Sequence, residues 1–70
     1  MTVFLAEMKD VFESESWVVG IYSTREKAEN AILNDLNELG ISASSLEMYD
    51  SMRDTLDYDY NYSIKKMEVE

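Results

Sequence analysis

The chain is predicted to fold as an α+β domain: a three-stranded antiparallel sheet carrying one long helix and a second, weaker one, in the order ββααβ. Three observations predict this. Two short β-branched and aromatic runs occupy the first 22 residues. A capped apolar pattern of helical period fills residues 24–39, and a Tyr-rich alternating run follows residue 57. With 70 residues and no Pro-rich or Gly/Ser-rich linker, the expectation is one domain over residues 1–70. A domain that small buries only roughly 60% of its unfolded surface, so its stability margin is narrow.

Residues 2–9 read as the first strand. Val3, Phe4, Leu5, Ala6 and Met8 form an apolar run without Gly or Pro, too short for a core helix. Phe4, Ala6 and Met8 fall on one face by the two-residue period, Val3 and Leu5 on the other. A strand apolar on both faces belongs at the centre of a sheet or under cover on both sides. The charged stretch Lys9–Ser16 is the hairpin connection. Residues 16–22 make the second strand, with Trp17, Val19 and Ile21 expected inward and Val18, Gly20 and Tyr22 opposite. A glycine in mid-strand marks a bulge or a close approach by another group.

Ser23-Thr24-Arg25-Glu26 matches a capping box, with Ser23 as the cap and Glu26 reaching back. Ala28, Ala31, Ile32, Leu36 and Leu39 then recur at helical spacing. Gly40 stands where a left-handed residue ends a helix, and Ile41 can close back on Leu36 in a Schellman motif. Ser44-Ser45-Leu46-Glu47 repeats the capping pattern, and Leu46, Tyr49, Met52 and Leu56 give the second helix a loose apolar face. In the last strand Tyr60, Tyr62 and Ile64 share one parity and Met67 and Val69 the other, as a bulge near Lys65-Lys66 or use of both faces requires.

Charge narrows the function classes. Fifteen Asp and Glu against six Lys and Arg leave a net charge of −9, which opposes direct contact with nucleic acid or an anionic membrane. The absence of Cys removes disulfides and zinc–thiolate sites. The absence of His removes the usual base near neutral pH and the commonest transition-metal ligand. No phosphate-cradling glycine loop is present, no cofactor is expected, and Ser23 and Ser44 read as helix caps, so the protein is not expected to be an enzyme. No apolar run reaches the roughly 18–20 residues that span a bilayer. The acidic start of the chain does not read as a signal peptide, and the expected compartment is the cytoplasm.

The acids of the second helix are the first candidate site. Glu47, Asp50, Asp54 and Asp57 are spaced so that, at about 100° per residue, they fall within an arc of about 80°, and Asp59 extends the row. Such a strip of carboxylates imitates a run of backbone phosphates and suits a cationic groove; the plainer reading is the solvated face of an acidic protein. Tyr49 and Tyr58 are candidate aromatic anchors beside it. Tyr58, Tyr60 and Tyr62 line a strand face that serves either as a contact surface or as core filling beside Ile64. Trp17 reads as core in preference to a ligand platform. Asp57, Asp59, Asn61, Ile64 and Glu68 also match spacings of a calcium-binding loop. Tyr62 stands where that loop turns on Gly, and residues 58–64 have strand composition, so the match reads as a coincidence of an acid-rich chain.

The run Val18-Val19-Gly20-Ile21-Tyr22-Ser23-Thr24-Arg25-Glu26-Lys27-Ala28-Glu29 resembles the strand–helix junction of small, largely uncharacterised phage and bacterial proteins. Their pattern, G-(V/I)-(Y/F)-S-(T/S)-(R/K)-E-x-A, is followed by a helix and a closing strand. The resemblance covers everything outside residues 41–59, implies a ββαβ fold and no activity, and leaves the second helix as the part special to this chain. The functional expectation is a small acidic non-catalytic binding protein, phage-encoded, that inhibits a host nucleic-acid enzyme or defence complex by occluding its basic groove. The alternative is a self-associating accessory domain, with a homodimer covering the spare apolar face and acidity serving solubility.

Overall fold

A computed structural model describes residues 1–70. Strands β1 (Thr2–Asp10), β2 (Glu15–Tyr22) and β3 (Tyr60–Glu68) form one antiparallel sheet in the order β2-β1-β3, with helices α1 (Arg25–Glu38) and α2 (Leu46–Leu56) between β2 and β3. The predicted class and element order are therefore those of the molecule, and β1, apolar on both faces, is the central strand. No helix is long and apolar enough to cross a membrane.

One face of the sheet carries the helices. Ala6 and Met8 of β1 are buried there against Ala28, Ile32 and Leu36 of α1, with Ile41 and Tyr49 completing the core. Phe4, Trp17, Val19, Tyr22, Tyr60, Tyr62 and Ile64 pack around it. The register corrects the expected faces of β2. Ala6 pairs with Gly20 but Glu7 pairs with Val18, so Val19 is an extra residue, a bulge. The inserted residue shifts the alternation by one. Trp17 and Val19 face the helices as expected, but beyond the bulge it is Tyr22 that packs inward, and Ile21 is left 62% exposed on the opposite face. The Tyr22 side chain packs across Gly20; a Cβ there would come within 3.0 Å of its hydroxyl oxygen and two ring carbons, so any larger residue would displace the Tyr22 ring. Pairing of β3 with β1 runs without a shift from Tyr60 to Glu68. The change of parity in β3 thus reflects use of both faces, with Met67 opposite Val3.

Both helix starts fall one residue later than the capping boxes suggested. Thr24, not Ser23, caps α1, accepting from the Lys27 amide at 3.2 Å. Ser45, not Ser44, caps α2, accepting from the Met48 amide at 3.1 Å. Each pair offers adjacent hydroxyls that satisfy the same local rule, so the choice belongs to where the incoming chain leaves its extended path. The end of α1 is the predicted Schellman motif. Gly40 has φ +88°, its amide donates to the Asn37 carbonyl, and the Ile41 amide donates to Leu36 at 2.9 Å. A hydrogen bond from the Trp17 indole to Asp35 Oδ2, at 2.9 Å, ties β2 to α1.

Candidate functional site

An 11-residue helix is marginal alone in water, and α2 is held by its one fully buried residue, Tyr49. The Tyr49 ring stacks on Tyr58 with centroids 6.1 Å apart and lies tilted against Tyr62 at 6.3 Å. Its hydroxyl donates to the Tyr60 carbonyl, and the Arg53 guanidinium lies over its ring, 5.8 Å from the centroid. Burial pushes the Tyr49 phenol above its ordinary 10.0. Tyr62 is raised as well, first by burial and then by its hydrogen bond to Asp50.

This cluster corrects part of the candidate strip. Tyr49 is an internal anchor, 0% exposed, and offers no surface to a partner. Asp50 accepts from the Tyr62 hydroxyl at 3.1 Å through each carboxylate oxygen and sits 3.6 Å from Arg53. Arg53 also donates to Asn61 Oδ1 at 3.1 Å. Asp50 and Arg53 thus connect α2 to β3, which is the work the lone cation of this helix does. Asp57 lies beyond the end of α2, in the left-handed conformation at φ +57°, a region that Asp tolerates better than most residues. Leu56, expected on the apolar face, is exposed. Glu47, Asp54, Asp57 and Asp59 are all solvent-facing, and Tyr58 is half-buried against Tyr49.

The structure adds a second segment to these acids. The β1–β2 turn meets the α2–β3 connection, where the Val11 amide donates to the Asp59 carbonyl at 2.8 Å. Together they line a shallow depression of about 290 Å³ with Asp10, Glu13, Asp57 and Asp59, the aromatic residues Tyr58 and Tyr60, and Phe12, which is 81% exposed. No Lys or Arg lines it. Asp10 shapes the turn, its Oδ1 accepting from the amides of Phe12 and Glu13 at 3.0 and 3.2 Å. Reading along the chain did not connect Asp10, Phe12 and Glu13 with residues 57–59, which stand more than forty positions away. The available signal was the lone Phe inside an acidic turn.

The calcium-loop spacing does not survive folding. Asn61, Ile64 and Glu68 lie along β3, opposite Lys9, Ala6 and Thr2, so the segment is a strand where a calcium loop would have to curl. No group of three or more acids is placed to hold a metal ion. No protein-family model, curated protein or solved structure matches the chain. The functional reading accordingly rests on the geometry.

Proposed function

We propose that this protein is a small, non-catalytic acidic binding protein that occludes a basic groove on a partner protein, standing in for the nucleic acid that the groove accepts. The observation that carries this reading is a depression lined by no cation, where carboxylates from two distant segments stand beside an exposed Phe12. Glu47 and Asp54 continue the negative surface along α2. Carboxylates presented on a folded scaffold give a basic groove a rigid row of charges, and Phe12 supplies an apolar contact of the kind found at the centre of interfaces.

The test is capture from lysate by the tagged protein, with and without duplex DNA, at low and high salt. A partner that is released by about 1 M salt, where the Debye length falls to about 3 Å, and that DNA displaces is the expected result. The Glu13→Lys/Asp54→Lys/Asp59→Lys variant should lose it by tenfold or more. These positions are solvent-facing and their side chains make no hydrogen bond or ion pair within the fold, unlike Asp50, whose reversal would disturb the fold itself. Undiminished capture by the variant, or a partner indifferent to salt and DNA, overturns the proposal.

A further inference from the structure

The sheet face turned away from the helices carries no layer. Its residues are Val3, Leu5, Glu7 and Lys9 of β1, Ser16, Val18 and Ile21 of β2, and Asn61, Ser63, Lys65 and Met67 of β3, as the two registers place them. Val18, Ile21 and Met67 are 59%, 62% and 43% exposed. With Val3 and Leu5 they form an apolar patch over the end of the sheet nearest the start of β1.

The charge on this face is unlike that of the rest of the molecule. On a chain of net −9, these residues include one acid, Glu7, against Lys9 and Lys65. The negative charge lies elsewhere, on the helices, the turns and the opposite side of the strands. Glu7 Oε1 is shielded from solvent and accepts no hydrogen bond; its nearest cation is the Lys65 ammonium at 3.3 Å, in a geometry that leaves the acceptor unsatisfied. A face that is apolar, nearly neutral and carries both signs is complementary to itself. The acidic surfaces elsewhere on this protein would repel their own copies.

We propose that this face binds a second copy of the chain, sheet against sheet, giving a two-fold dimer with its acidic ends directed outward. Three strands spaced about 4.8 Å apart and nine residues long present a footprint of about 14 by 30 Å. Two such faces together remove on the order of 1,000 Å² from water, the low end for a specific pair, so the dimer is reversible and concentration-dependent. Apolar contact holds it while net charge opposes it, so added salt strengthens the dimer. Salt has the contrary effect on capture of a basic partner, so the two proposals fail separately.

The experiment is sedimentation equilibrium of the full chain over about 5 to 500 µM, at low and high salt, a range that brackets micromolar affinity. The weight-average mass should rise from 8.1 kDa toward twice that value, earlier at high salt. The Val18→Lys/Ile21→Lys variant, which makes the protein less negative, should stay at the monomer mass throughout. A native protein that is monomeric at every concentration, a dimer that salt dissolves, or a folded variant that associates as the native chain does overturns the proposal. Should the variant lose its native circular dichroism, methyl shifts of the native protein on dilution decide instead. Shifts concentrated on Val3, Leu5, Val18 and Ile21 support the face, and shifts elsewhere reject it.

Discussion

Tyr49 is where local and tertiary forces can be separated by one substitution. Tyr49→Phe keeps the ring stacked on Tyr58 and against Tyr62 but removes the donor to the Tyr60 carbonyl. The net value of such a hydrogen bond is about 0.5–1.5 kcal/mol, and for a domain of this size each kcal/mol lowers Tm by about 4–8 °C. Tyr49→Ala removes the whole fully buried ring, a loss of about 3–5 kcal/mol by analogy with Phe→Ala in cores. A 70-residue domain has about 3.5–10 kcal/mol in total, so the alanine variant retains little margin. Thermal melts and urea titrations followed by far-ultraviolet circular dichroism read both variants. In Tyr49→Ala the helical signal should fall by a little under half before the main transition, because α2 has 11 residues and α1 has 14. If both variants melt within about 2 °C of the parent, Tyr49 is not the anchor of α2, and the argument that a short helix depends on one buried ring fails. Capture of a basic partner by Tyr49→Phe should be unchanged, since the side chain has no exposed surface.

Alkaline pH and the end of α1 offer two further checks. The Tyr49 and Tyr62 phenols titrate above 10.0 in the folded protein and near 10 in an unfolded chain. The native state therefore holds these protons more tightly, and their contribution is complete below about pH 10 and lost as pH rises through the raised folded values. Urea midpoints from pH 8 upward should be flat and then fall, with tyrosinate absorbance rising in step; a Tyr49→Phe/Tyr62→Phe variant should show a shallower alkaline fall. Gly40→Ala meets no atom within 4 Å but sets a Cβ at φ +88°, so it should cost about 1–2 kcal/mol of left-handed strain, read as a lower urea midpoint at constant slope.

The sequence by itself determined the elements, their order and the ending of α1. These depend on interactions within a few residues of one another: the two-residue and 3.6-residue apolar periods, a glycine that accepts positive φ, and hydroxyls that accept from nearby amides. It also narrowed β1 to a strand that is central or covered on both sides, since apolar residues on both faces are tolerated best away from an edge, and the pairing with β2 and β3 placed it at the centre. What the tertiary structure decided were matters of register and of distant encounter. The bulge at Val19 moved Ile21 to the open face and brought Tyr22 in, a one-residue difference that alternation counted along β2 alone does not resolve. Helical spacing put Tyr49 on the apolar face of α2 but left it equally a candidate contact, and it placed Asp50 in the exposed acidic strip; the crossing of α2 over Tyr58, Tyr60 and Tyr62 makes one an internal anchor and the other a link to β3. The acidic end likewise exists because β3 returns alongside β1, bringing Asp57 and Asp59 to the turn that holds Asp10, Phe12 and Glu13. Periodicity reports what one element presents to its surroundings, whereas a site formed by two segments depends on how strands pair across the sheet.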